Sequence, residues 1–147
     1  MQKDIHTAIC DSYGSFEVPR LSGLHKKYRN QPYLSLVQEL GEFGEVQETT
    51  DLNDDVAVVL SISSPGSTFG IRLSLIGPFA VVSAAEGVLL NYFKYSGLSW
   101  AQPLLELLTS HGVHVIRREE LVERVPFGES EVSLYEILFS SDEVDLL

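Results

Sequence analysis

The chain has 147 residues, of which 44% are hydrophobic and 10% aromatic, and this composition excludes a disordered chain and predicts a single domain over 1–147. Ten basic and twenty-one acidic side chains give a net charge of −11, which disfavours binding to nucleic acid or to an anionic membrane. One cysteine, Cys10, cannot form an internal disulfide, and the first residues lack the apolar core of a signal peptide, so we expect a cytoplasmic protein.

The first forty residues predict short helices. Apolar side chains between Ile5 and Ile9 share one helical face, and two further short helices are predicted over 21–28 and 33–40. Pro32 precedes the last of these, at a position where proline is well tolerated.

An acidic run, ELGEFGEVQETTDLNDD, occupies residues 39–55 and contains no Lys or Arg. Its acids are Glu39, Glu42, Glu45, Glu48, Asp51, Asp54 and Asp55. Like charges this close repel one another, and a spacing of three residues makes no constant stripe on a strand or a helix. Two interpretations stay open: a solvated loop that aids solubility, or a surface that binds a cationic partner.

Strand patterns follow the acidic run. Residues 56–63 and 69–76 are rich in β-branched and alternating apolar residues, and the turn-forming stretch 64–68 between them predicts a hairpin. Further strands are predicted over 79–85 and 88–95, which gives an antiparallel meander.

A helix is predicted over 99–112, with Ser99 as its N-cap and Gly112 as its stop. Its apolar stripe consists of Leu104, Leu105 and Leu108. A short strand over 113–116, a helical turn over 118–125 and a long strand over 131–140 complete the pattern. The expected fold is α+β: a mainly antiparallel sheet of about five or six strands with helices packed on one face.

The candidate metal and catalytic patterns are incomplete. Asp51, Asn53 and Asp55 imitate the start of a calcium loop, but Val56 and Ile62 replace the glycine and the glutamate that such a loop needs. His111 and His114 lack further ligands, and His111 is better placed to cap the carbonyls of the preceding helix.

Nucleophilic chemistry has no complete set of residues either. Cys10 and His6 are four residues apart on a helix, but no third group is visible to orient them. Thr68 rather than serine lies between the glycines of GSTFG. We therefore expect no catalytic residue, no metal, no cofactor and no enzymatic activity.

The order of elements, with HGVHVIRREELVERVPF before the final VSLYEILFSSD, resembles the small acidic cytoplasmic immunity proteins of bacterial toxin–immunity systems, of the contact-dependent or type VI type. The resemblance covers roughly residues 55–140. It implies a non-enzymatic inhibitor that binds and blocks one cognate toxin domain, often a basic nuclease.

Two alternatives remain. Type III secretion chaperones are also acidic and of this length, but they dimerise and finish with a helix, whereas residues 131–140 predict a strand. A small enzyme whose site is assembled from distant residues is the other alternative. Both a monomer and a homodimer agree with the sequence.

If the acidic run binds a partner, we expect a negative surface that meets a basic toxin or effector domain. The acids predicted to form it are Glu42, Glu45, Glu48, Asp51, Asp54 and Asp55, together with Glu119, Glu120 and Glu123. Tyr33 and Phe43, which lie near these acids in the sequence, are the predicted aromatic anchors.

Overall fold

The structure is a computed structural model and describes residues 3–20, 23–84 and 99–140. The helices are α1 (Lys3–Tyr13), α2 (Leu24–Arg29), α3 (Leu34–Leu40), α4 (Ala101–Ser110), α5 (Arg118–Leu121) and α6 (Leu134–Leu138). The strands are β1 (Glu45–Glu48), β2 (Ala57–Ser64), β3 (Ser67–Ser74), β4 (Phe79–Ala84), β5 (His114–Val115), β6 (Arg124–Phe127) and β7 (Ser130–Ser133).

The main sheet has five strands in the order β1-β2-β3-β4-β5, and β6 and β7 form a separate hairpin. Strands β1 to β4 pair antiparallel, and β5 pairs parallel to β4. The predicted α+β class and the mainly antiparallel sheet are therefore confirmed. The predicted hairpin is also confirmed: Ser64 lies opposite Ser67, and Gly66 between them has a φ of +86°, which favours glycine.

One face of the sheet packs against α3 and α4. Leu60 and Ile71 are cross-strand partners on this face, and Leu36 of α3 and Leu104 of α4 belong to the same buried cluster. Leu108 is also buried there, so α4 supplies the apolar stripe that its sequence predicts.

The opposite face is covered at one end by α1 and the C-terminal segment. Ile5 and Ile9 of α1 share a buried cluster with Val81 of β4 and with residues 134–139. The 99–112 helix thus packs on one face of the sheet as predicted, and α1 and α6 cover the opposite face as well.

The predicted strand over 131–140 is wrong in its second half. Strand β7 ends at Ser133, whose side chain accepts a hydrogen bond of 3.2 Å from the backbone N–H of Glu136 and so caps α6. This serine and glutamate have the spacing of a capping box. The apolar residues around Glu136 are buried on several sides, so their pattern does not decide between strand and helix.

Other boundaries also differ from the predictions. Helix α4 follows Trp100 rather than Ser99, although Gly112, with a φ of +72°, lies just past its end as predicted. Strands β1 and β6 have no counterpart in the predictions, and the helical turn predicted over 118–125 is shortened to α5. The strand predicted over 88–95 lies outside the described residues.

Candidate functional site

The acidic run joins the sheet as its edge strand. After α3 the chain turns and forms β1, in which Glu45 lies opposite Ser63 and Glu48 opposite Leu60. Gly44 makes this possible, because it has a φ of +155° and a Cβ at this position would collide with the carbonyl of Ser63. The run is therefore a short strand rather than only a loop.

The outer side of β1 carries backbone groups that pair with no strand in the described ranges. The N–H of Thr49 donates to the carbonyl of Val59 at 2.9 Å, which sets the alternation of hydrogen bonds along this pair. By that alternation, Val46 and Glu48 direct their N–H and C=O groups away from β2. In the sheet formed by residues 45–84 and 114–115, no strand pairs with this side.

The first four acids of the run, from the end of α3 to the end of β1, differ in their contacts: two have a partner in the protein and two are exposed without an ion pair in the described residues. Glu39 contacts Nε2 of His111, and the carboxylate of Glu48 accepts a hydrogen bond from the hydroxyl of Tyr28. This hydrogen bond, with smaller contributions from burial and from the charge of Glu48, raises the pKa of Tyr28. Glu42 and Glu45 are exposed and form no ion pair within the described parts of the chain.

His111 therefore differs from its predicted role. Its backbone N–H ends α4 by donating to the carbonyls of Leu107 and Leu108, but its ring pairs with Glu39 of α3. The side chain thus links two helices on the same face of the sheet instead of capping one of them.

Asp55, one of the acids predicted to contact a partner, lies in the interior. The residue is 4% exposed, and its Oδ1 accepts from Arg72 at 3.0 Å and from the hydroxyl of Ser140 at 2.8 Å. Its Oδ2 accepts from the backbone N–H of Asp51 at 2.9 Å. Both carboxylate oxygens are therefore engaged by donors of the protein itself.

The neighbouring acids form a local turn. Oδ1 of Asp51 accepts from the backbone N–H of Asn53 at 3.0 Å, an arrangement typical of Asx turns. Asp51 and Asp54 are exposed. The alternating acids that imitate a calcium loop are thus accounted for by turn formation and by the buried Asp55.

The second predicted group of acids lies elsewhere in the fold. Helix α5 begins three residues after β5, the edge opposite β1, and the two edges are about 19 Å apart at ordinary strand spacing. Glu119 is exposed, whereas Glu120 and Glu123 are half-buried. The structure therefore does not join these acids and β1 into one continuous surface.

The predicted aromatic anchors have structural roles. The Tyr33 hydroxyl donates to the carbonyls of Ser74 at 2.6 Å and Gly77 at 3.0 Å, and burial raises its pKa above the ordinary range. Phe43 packs edge-on against Phe69, with ring centroids 6.4 Å apart. Neither ring is free to enter a partner without losing these contacts.

A cleft beside β1 offers an apolar contact that the sequence predictions missed. This edge cleft has a volume of about 320 Å³, and Tyr28, Leu34, Val37, Glu48 and Val58 contribute to its walls. Leu34 is 50% exposed, although it belongs to a helix that buries Leu36 and Leu40. Leu34 does not share the helical stripe of Leu36 and Leu40, and this spacing in the sequence could have predicted that its side chain is exposed.

Cys10 and His6, the candidate catalytic pair, lie at the surface with a long contact between them. The Sγ of Cys10 lies 3.9 Å from Nδ1 of His6, and the ring of His6 packs against Phe16.

No group of three or more His, Cys, Asp or Glu residues that could hold a metal occurs within the described ranges. None of the helices that the structure describes is long and apolar enough to span a bilayer.

Comparisons of the chain with protein-family models, with curated proteins and with solved structures found no match.

Proposed function

We propose that this protein is a non-enzymatic binding protein that neutralises a basic toxin domain by direct contact, as an immunity protein does. The observation that carries the proposal is the combination of an acidic edge strand, β1, with an apolar cleft directly beside it. This role also favours a location in the cytoplasm, where such a toxin would act.

Charge favours a cationic partner at β1. Glu42 and Glu45 are exposed without an ion pair in the described residues, and the whole chain carries a net charge of −11. Complementary charge raises association rates by about 10–10³-fold and disfavours wrong partners. A basic segment of the toxin would relieve the repulsion among these acids.

The outer edge of β1, which pairs with no strand among the described residues, favours an extended partner segment. Backbone groups of Val46 and Glu48 face outward, and a partner strand could pair with them by main-chain hydrogen bonds. A second copy of β1 would instead bring Glu45 and Glu48 against the same acids, a known protection against edge-to-edge association. The edge thus selects a basic strand over self-pairing.

The edge cleft supplies an apolar contact. Leu34, Val37 and Val58 line it next to Glu48. Full burial of one aliphatic or aromatic partner side chain contributes about 1.5–3 kcal/mol, and such anchors carry most of the binding energy of an interface. Charge would therefore control the rate of association, and the cleft would control the rate of dissociation.

The partner for the test is identified first, as a basic protein domain that is encoded next to the gene of this chain and binds the purified chain. We expect E42K/E45K to lower the association rate constant at least about tenfold at low salt, and we expect high salt to remove the difference. The matched control is E129K/E131K, which changes the net charge equally but alters exposed acids of the β6–β7 turn region. Stopped-flow fluorescence measures both variants.

Equal slowing by the two double variants would indicate only a long-range charge effect and would contradict a site at β1. An unchanged rate in E42K/E45K at both salt concentrations would return the acidic run to a role in solubility. The melting temperature of both variants should stay near that of the wild type, because the substituted side chains are exposed.

A chaperone-like binding protein is the second candidate. The argument against it from the sequence was a C-terminal strand, and the structure has the helix α6 at Leu134–Leu138 instead. Secretion chaperones normally dimerise, so sedimentation at micromolar concentration separates the candidates. A stable dimer would favour the chaperone, and a monomer would favour the immunity protein.

A further inference from the structure

A second cleft, distinct from the edge cleft, has no part in the proposed function. It has a volume of about 440 Å³ and lies among α2, the α2–α3 connection, the turn after β3 and the end of α4. Its polar lining includes Lys27, Asn30, Ser35 and His111. We call it the Lys27 cleft.

Lys27 is a cation held in place without a carboxylate. Its ammonium donates to the hydroxyl of Ser12 at 2.8 Å, and that hydroxyl donates to the carbonyl of Ile76 at 2.9 Å. The residue is half-buried and forms no ion pair in the parts of the chain that the structure describes. The hydroxyl of Ser12 thus positions a charge whose remaining N–H groups have no protein acceptor among the hydrogen bonds of those parts.

The surroundings of Lys27 are also positive. Helix α2 has the sequence LHKKYR, which contains three Lys or Arg residues and no acid. None of the residues that line the cleft is Asp or Glu, although acids outnumber bases twenty-one to ten in the whole chain. The carboxylate of Glu39 contacts the lining residue His111 and pairs with its ring, so it does not cancel the charge of Lys27. An anion is the ligand that this local excess of positive charge favours.

The carbonyl oxygens of Ser74 and Gly77 are partly neutralised by a hydrogen-bond donor. Both lie within hydrogen-bond distance of the hydroxyl of Tyr33, at 2.6 and 3.0 Å, and share its one proton. This donor reduces their repulsion of a negative group. The exposed side chains of Asn30 and Ser35 provide further donors at the mouth.

The rest of the lining is apolar. Leu36, Leu75 and Val113 are buried residues that contribute to it. The volume is within the range of about 300–1,000 Å³ that is usual for small-ligand sites, which combine an apolar lining with a few polar groups. The cleft therefore matches a molecule with an anionic group at one end and an apolar body at the other.

We propose that the Lys27 cleft binds a small organic anion, a carboxylate or phosphate carried on an apolar body, with Lys27 as the residue that contacts the anionic group. The two clefts share Pro32 and Tyr33, but Lys27 does not line the edge cleft. The proposed anion site therefore does not depend on the toxin-binding role of β1.

The test is a titration of the full ¹⁵N-labelled chain, followed by amide chemical shifts. The probes are benzoate and phenyl phosphate, which separate the two anionic groups, and inorganic phosphate, which lacks the apolar body. We expect saturable shifts at Asn30, Ser35 and Val113 with at least one aromatic probe, and at least about tenfold weaker binding of inorganic phosphate.

The matched variants are Lys27→Gln and Lys26→Gln. Both remove one positive charge from α2, but Lys26 is exposed and does not line the cleft. We expect Lys27→Gln to weaken binding at least about tenfold, as for loss of a charge-assisted hydrogen bond, and Lys26→Gln to change it less than about twofold.

The proposal is overturned if neither aromatic probe gives saturable shifts, or if Lys27→Gln binds as the wild type does. Equal weakening by Lys26→Gln would also overturn it, because the effect would then be one of general charge. If Lys27→Gln fails to fold, Ser35→Trp decides in its place: it fills the mouth from an exposed position, and unchanged binding in this variant overturns the proposal.

Discussion

Both ends of the acidic run, residues 39–48 and residues 51–55, are rich in acids, but the acids of the first are exposed to solvent and the second ends in the protein interior. Glu42 and Glu45 are exposed at or beside the edge strand, whereas Asp55 is 4% exposed and is bound by Arg72 and Ser140. The partners of Asp55 come from β3 and from the residue after Phe139, which no local pattern associates with it. The density of charge in a sequence therefore does not show which acids a partner can reach.

The inner end of the run has a clear structural role. Asp55 and Ser140 form an isolated β-bridge, and the N–H of Val56 donates to the carbonyl of Phe139 at 2.9 Å. The start of β2 is thereby joined to the C-terminal segment that covers one face of the sheet. Arg72, whose side chain is 23% exposed, balances the charge that this junction buries.

The largest effect should come from Asp55→Ala. The substitution removes the carboxylate that accepts hydrogen bonds from Arg72, from the N–H of Asp51 and, at 2.8 Å, from Ser140, so we expect the free energy of unfolding to fall by about 3 kcal/mol. Urea unfolding followed by circular dichroism measures the change. Glu42→Ala, at the outer end, should stay within about 0.5 kcal/mol of the wild type. Equal effects would remove the distinction between the two ends.

An intermediate effect is expected from Tyr33→Phe, which tests a residue first predicted to be an anchor. The carbonyls of Ser74 and Gly77 lose a shared donor, and we expect the free energy of unfolding to fall by about 1–2 kcal/mol at neutral pH. If the variant lost more binding free energy for the toxin than free energy of unfolding, the result would instead support the prediction that Tyr33 is an anchor.

Tyr33→Phe should also change how the free energy of unfolding depends on pH in alkaline solution. Burial raises the pKa of Tyr33 in the folded protein, so the unfolded chain ionises first, near pH 10. The contribution of Tyr33 to the free energy of unfolding is fully present below about pH 10. Above that pH it falls, by up to about 1.4 kcal/mol per pH unit. Tyr33→Phe should reduce this slope when unfolding is measured at about pH 9 and pH 11. Tyr13, whose pKa burial also raises, should maintain part of it.

The smallest effect is expected from Glu48→Ala at the exposed edge, which removes the acceptor of the Tyr28 hydroxyl. The hydrogen bond from Tyr28 is on the surface, so the free energy of unfolding should change by less than about 1 kcal/mol. The informative measurement is an ultraviolet titration of the tyrosines. Because the hydrogen bond to Glu48 is the main cause that raises the pKa of Tyr28, that pKa should move back toward its ordinary value. No change would mean that the two side chains do not interact in solution.

Several elements follow from local patterns alone. The helical face around Ile5 and Ile9, the hairpin around Gly66 and the stop of α4 at Gly112 all depend on neighbours within a few residues. Side-chain periodicity and the backbone freedom of glycine are sufficient to specify such features. The α+β class was therefore predictable without knowledge of the packing.

The candidate surface was only partly predictable. Composition showed that residues 39–55 are acidic, and the spacing of Ser133 and Glu136 contained an unused signal for α6. The edge cleft could not be predicted, because its walls come from α2, α3, β1 and β2. A cleft between elements depends on how they pack, which local spacing does not describe.

Composition and short-range periodicity were enough to predict the acidity, the antiparallel hairpin and most of the helices in the described residues. Which acids remain on the surface depends on the tertiary packing. It turns Asp55 inward to Arg72, leaves Glu42 and Glu45 in solvent and separates β1 from α5. The physical reason is that burying a charge requires donors distant in sequence, and the folded chain brings them together at one end of the run.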